Sequence, residues 1–165
     1  MAMYGKYLRI SFERLKELQS QPEALKEHLR FVTAEGYLQA YKEQYFDLNR
    51  FWEDLHDYLS RLPQVDSLWQ EWGVSSSSGV IGKKIENVSF GVGKVRFVTP
   101  NQVQAIANVL TTVSKAEVGF MKLYRKNYPT WQEDDYDWVL STYQEWKQFL
   151  QKAAQEGQAV LFWIT

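Results

Sequence analysis

The residues of this sequence best suited to chemistry are Trp52 and His56, four apart. On a helix that spacing sets an indole and an imidazole on neighbouring surfaces, and imidazole is the side chain that titrates near neutrality without help. Asp47 and Asn49 stand just ahead of them, where short polar side chains cap a helix and can also approach a ligand at its end. Arg96, from a separate segment, supplies a guanidinium, so that His56 with Asp47, Asn49 or Arg96 would line the mouth of a cleft beside the Trp52 helix. A plainer reading competes with this one. At about 100° per residue His56 falls about 90° from the middle of the apolar face, a boundary position. Trp52 would then belong to the core, His56 would hydrogen-bond a neighbouring loop, and Asp47 or Asn49 would serve as the N-cap.

Fuller catalytic sets are incomplete. A dinuclear carboxylate centre needs two Glu-x-x-His pairs facing each other; Glu53 and His56 form one, but the second histidine, His28, has Leu25 three residues before it. No metal is therefore expected. Gly79-Val80-Ile81-Gly82-Lys83 and Gly91-Val92-Gly93-Lys94 both lack the first glycine of a phosphate loop, and Lys84 or Val95 stands where its hydroxyl belongs. Arg96 occupies the third glycine position of the dinucleotide fingerprint that Gly91 and Gly93 would begin. No Gly-x-Ser-x-Gly elbow surrounds any serine, and the run Ser75 to Ser78 has the composition of a loop tip. No cofactor is implied.

The composition narrows the partners. The chain has no cysteine, which removes disulfides, thiolate nucleophiles and the usual structural zinc sites. Lysine and arginine number 19 against 20 acids, so the net charge of −1 creates no field that would gather polyanions. Lys115, Lys122, Arg125 and Lys126 make a modest basic face without interleaved exposed aromatics, and nucleic acid is not expected as a partner. The first ten residues contain Lys6 and Arg9 and no apolar core of a secretion signal. The longest uncharged stretch, residues 97–114, includes Pro100, Asn101, Gln102, Gln104 and Asn108, which a bilayer interior rejects. A cytoplasmic protein without membrane contact is the expectation. Seven tryptophans and ten tyrosines offer more aromatic surface than most chains. Trp69, Trp72, Trp131 and Trp138 lie in or beside predicted loops and helix ends, where they could meet a protein partner, although a core also absorbs many aromatics.

These residues need elements to hold them. Residues 4–10 read as a strand, followed by Ser11 as an N-cap with Ile10 and Leu15 as a hydrophobic staple. Ser20 and Glu23 read as a second capping box, before a helix with Leu25 and Leu29 on one face and His28 at its edge. Tyr37, Tyr41 and Tyr45 recur every four residues and predict further helical turns. Leu48, Phe51, Trp52, Leu55, Leu59 and Leu62 predict a helix over 49–62, closed by Pro63. Residues 66–72 read as another turn and 73–79 as a loop.

Residues 85–98 predict one or two strands broken near Gly91 and Gly93. Thr99, Pro100 and Gln102 then provide an N-cap, a proline at N1 and a capping-box partner, ahead of Val103, Ile106, Ala107, Leu110 and Val113 on one face. Ser114 caps a helix running to Asn127, and Pro129 precedes the last one, whose stripe is Val139, Tyr143, Trp146, Leu150 and Ala153. Trp138 and Phe149 share a different side of that helix, so two of its sides would be covered. Gly157 is its C′ residue, and residues 159–164 are apolar on both alternating faces, as in a strand with layers on either side.

Four blocks in order resemble the YfbM-like family of small bacterial proteins of unknown function. They are Met1-Ala2-Met3-Tyr4-Gly5, the segment from Asp47 to His56, the segment Val95-Arg96-Phe97-Val98-Thr99-Pro100 with Val103, and the ending from Ala153 to Leu161. Asn49 and Arg50 replace the second acid and the lysine of the family's Asp-Leu-Asp-Lys pattern, so a carboxylate pair there would be half missing. The resemblance implies a mixed α/β fold and a bacterial cytoplasmic setting, without a reaction or a cofactor.

The sequence therefore predicts one predominantly helical α/β domain over residues 1–165, with a small sheet built from N-terminal, middle and C-terminal strands and packed by amphipathic helices. Two functions fit it. One is a non-catalytic binding or protein-interaction domain, monomer or homodimer; the other is a small-molecule binder or enzyme with a pocket around His56.

Overall fold

A computed structural model describes residues 3–34, 41–50, 52–62, 82–112 and 116–165. In chain order the elements are β1 (Gly5–Ile10), α1 (Phe12–Gln19), α2 (Pro22–Thr33), β2 (Tyr45–Asn49), α3 (Trp52–Ser60), β3 (Lys83–Ser89), β4 (Lys94–Val98), α4 (Pro100–Thr112), α5 (Ala116–Asn127), α6 (Glu133–Gln155) and β5 (Ala159–Ile164). The strands form one five-stranded sheet in the order β2-β1-β5-β4-β3, antiparallel throughout.

Strand periodicity divides the apolar side chains between two cores. Tyr7, Val98, Val160 and Phe162 face α3, α4, α5 and α6, whereas Leu8, Ile10, Val95, Leu161 and Trp163 face α1 and α2. β5 comes last in the chain but lies in the centre, paired with β1 on one side and β4 on the other. Layers on both of its faces account for a strand in which Ala159 to Trp163 are all buried.

Several local signals act as expected. Ser11 Oγ accepts from the Arg14 amide at 3.2 Å. Thr99 and Gln102 exchange two hydrogen bonds, with the Thr99 amide donating to Gln102 Oε1 at 2.9 Å and the Gln102 amide to Thr99 Oγ1 at 3.4 Å. Gly91 and Gly93 make the β3–β4 turn at φ values of 64° and 93°, and Gly157 follows α6 at 63°. Val139, Tyr143, Trp146, Leu150 and Ala153 are all buried. Of the second pair on α6, Phe149 is covered while Trp138 is 46% exposed, so that side is only partly covered.

Three expectations change. Tyr41 lies in a turn and Tyr45 begins β2, because pairing with β1, Tyr7 opposite Phe46 and Leu8 opposite Tyr45, decides the backbone there. Their four-residue spacing survives as a shared contact with the α1/α2 core rather than as a helix face. The α3 helix begins at Trp52 and not at Asn49, whose φ of 59° turns the chain out of β2; Leu48 is therefore a strand residue. The predicted box at Ser20 and Glu23 does not form: Pro22 sets N1, Gln21 becomes the N-cap, Ser20 Oγ donates to the Glu17 carbonyl at 2.7 Å and Glu23 pairs with Lys26. The readings made for Tyr37, Phe51, residues 63–80, Val113 and Ser114 lie outside the described residues, Trp69 and Trp72 among them. Among the described residues no helix is long and apolar enough to cross a membrane.

Candidate functional site

The α3 helix lies against the sheet so closely that a Cβ added at Gly5 of β1 would stand 2.6 Å from Trp52 Cβ. Trp52 is buried, with its Nε1 donating to the Met3 carbonyl at 3.2 Å. His56, one turn on, is 1% exposed. Its Nε2 shares a hydrogen bond with the Tyr7 hydroxyl, and its ring centroid lies 4.8 Å from that of Phe162 and 5.7 Å from that of Trp52. The boundary position expected for His56 is thus corrected. Tyr7, Phe162 and Arg96 are partners in register on β1, β5 and β4, and this broad row of side chains covers more of α3 than its leucine stripe indicates. Burial first, and the Arg96 charge second, push the imidazole down to about 3. Burial likewise pushes the Tyr7 hydroxyl well above the usual tyrosine range. At neutral pH both partners are uncharged, which suits an internal tie between helix and sheet.

The other predicted site residues separate. Arg96 joins this group from β4, half-buried, with Nη1 donating to the Gly82 carbonyl at 3.0 Å. Asp47 points to the opposite side of β2 and forms an ion pair with Lys6. Instead of capping α3, Asp47 Oδ1 accepts from the Asn49 amide at 2.8 Å and Asn49 Oδ1 from the Arg50 amide at 2.9 Å, building the bend between β2 and α3. That bend carries Asn49 to a second location.

There a cleft of about 450 Å³ opens, lined by Asn49, Arg50 and Asp54 on one side and by Tyr124, Tyr128, Trp131 and Trp138 on the other. Its volume falls within the roughly 300–1,000 Å³ typical of ligand sites. The aromatic wall is closely packed: the Tyr128 ring centroid is 4.6 Å from that of Tyr124 and 5.3 Å from that of Trp131. Tyr136 donates its hydroxyl hydrogen to the Tyr128 carbonyl. Arg125 grips Glu133 with two hydrogen bonds of 2.7 and 3.0 Å while lying 4.2 Å from the Tyr136 ring centroid, joining the end of α5 to the start of α6.

Two charged groups face this wall. Asp54 accepts from the Tyr128 hydroxyl at 2.9 Å and has no basic partner among the described residues. Burial raises its pKa above the usual carboxylate value, outweighing the hydrogen bonds that favour its charge. Burial and then the bond to Asp54 push the Tyr128 hydroxyl up to about 12. Arg50 donates to the Tyr4 hydroxyl at 3.3 Å and lies 5.6 Å from that ring centroid, also without an acidic partner among the described residues. Trp131 and Trp138 were legible as aromatics in or beside loops and helix ends, and Asn49 stood among the candidate residues. Arg50, Asp54, Tyr124 and Tyr128 were missed, although the spacing of Tyr124, Tyr128 and Trp131 along one helix end was a usable signal.

An antiparallel sheet between helical layers, with a charged aromatic cleft on one of them, defines a mixed α/β protein. The chain belongs to the family described as Domain of unknown function (DUF1877), whose model matches residues 1–163. Its structure is similar to the crystal structure of YfbM, a protein of unknown function from Escherichia coli, with a TM-score of 0.53 and 14% identity over 98% of this chain and 99% of that one. At that identity the likeness concerns the fold. No curated protein matches the chain.

Proposed function

We propose that this protein is a non-catalytic binding protein whose ligand occupies the cleft between Asn49, Arg50, Asp54 and the aromatic wall of residues 124–138. The observation carrying this reading is the pairing, in one open cavity, of a half-buried carboxylate and an arginine that lack ionic partners among the described residues. Charges kept beside apolar walls cost stability, and a ligand that completes their pairing offsets the cost. Trp52, His56 and Arg96 then act as the packing that fixes α3, the helix bearing Asp54; Asp47 shapes the bend bearing Asn49 and Arg50.

A ligand-observed NMR screen of small charged and aromatic compounds, repeated on Trp131→Ala and Trp138→Ala, tests this. Hits that are lost in those variants while the fold persists support the cleft. A screen whose hits ignore both substitutions, or that finds none, overturns it.

A further inference from the structure

The cleft presents opposite charges in one short stretch, Arg50 before the first turn of α3 and Asp54 within it. Asp54 is hydrogen-bonded by neutral groups, the Tyr128 hydroxyl at 2.9 Å and the Asn127 side chain, so a cation brought to it would gain a partly desolvated carboxylate as partner. The rings of Tyr124, Tyr128 and Trp131 line the same space, and the negative faces of such rings attract organic cations, alkylated ammonium groups above all. A bare cation would, however, be repelled by Arg50. That guanidinium spends one donor on Tyr4 and keeps the geometry to bind a carboxylate through two others.

We infer that the ligand is a small zwitterion, with an alkylated ammonium placed against Asp54 and the aromatic wall and a carboxylate held by Arg50. This rests on the cleft being the binding site and adds the chemical class. The apolar lining favours methylated nitrogen over a primary ammonium, because the latter loses more hydration on entering. The two ends of the ligand recognise two groups only a few residues apart in the chain, which limits it to a compact molecule.

The test uses the full chain, titrated with trimethylglycine, with tetramethylammonium as the cationic half alone and with acetate as the anionic half alone, followed by amide and indole NMR shifts. Trimethylglycine is expected to bind at least about tenfold more tightly than either half, moving the Trp131 indole resonance. Asp54→Asn, which preserves side-chain size, and Arg50→Gln, which shortens the side chain but keeps it polar, are both checked for an unchanged spectrum away from the cleft and are each expected to weaken it by about tenfold. Arg50→Gln should also improve the binding of tetramethylammonium. If either half binds the cleft as tightly as trimethylglycine, or if both variants bind trimethylglycine like the wild type, the zwitterion assignment falls while the cleft stands. If none of the three probes moves a cleft resonance, the zwitterion assignment also falls, and the wider screen then decides on the cleft itself.

Discussion

His56 sits where a protonated imidazole would lose its water and face the Arg96 guanidinium. Its folded value of about 3 lies below the ordinary 6.5, so the stability gained from the neutral ring is fully present above about pH 6.5 and is lost as the pH falls from there towards 3. One proton corresponds to a slope approaching about 1.4 kcal/mol per pH unit within that window. Urea denaturation across the window is expected to show this slope in the wild type and a shallower one in His56→Gln. His28 is shifted the same way, by burial and then by Arg14, so His28→Gln provides the comparison. An unchanged slope in His56→Gln would assign the acid sensitivity elsewhere. Asp54 has the opposite sign. Its raised pKa favours the protonated acid in the fold, a contribution present below the unfolded carboxylate value and lost as pH rises through the folded one. Asp54→Asn is therefore expected to raise Tm by about 1–3 °C at pH 7 without ligand, and not at pH 3, as calorimetry would show. A lower Tm at pH 7 would mean that the charge is already paid for within the fold.

At the scale of elements, the contact of α3 with β1 positions the cleft, because Asp54 lies on the same helix as Trp52 and His56. Gly5→Ala forces its new Cβ against Trp52 Cβ and Cγ, at 2.6 and 2.8 Å, and 3.1 Å from Phe162 Cε2, so the helix or the strand must shift. The expected cost is about 1–3 kcal/mol, read by chemical denaturation, together with an altered near-ultraviolet signal from Trp52. Thr99→Ala removes one half of the α4 capping box and is expected to cost about 0.5–2 kcal/mol in the same measurement. Caps of this kind were readable because donor and acceptor lie three residues apart. The supposed box at Ser20 had the same spacing and failed, since Pro22 moved the start of α2 by one residue. The β2 segment misled for a different reason: Tyr41 and Tyr45 carry a helical spacing, yet the backbone at 45–49 bonds to β1 about forty residues away in sequence.

For the molecule as a whole, β5 joins the β2-β1 pair to the β4-β3 pair. Removing residues 159–165 would separate the two and expose both cores, so the truncated chain is expected to lose amide dispersion and cooperative unfolding; a dispersed spectrum would show the halves to be independent. The apolar run of residues 159–164 announced a strand covered on both faces, and the stripes of α4 and α6 announced their buried sides, because these properties repeat every two or every three to four residues. They are local, and the sequence by itself determined them, along with the ordered landmarks of the family. The burial of His56 was decided by a row of residues on three strands, Tyr7, Phe162 and Arg96, and the cleft by the meeting of residues 49–54 with residues 124–138. Such pairings depend on which distant surfaces pack together, a choice made by the shared burial of both partners and written in neither segment alone.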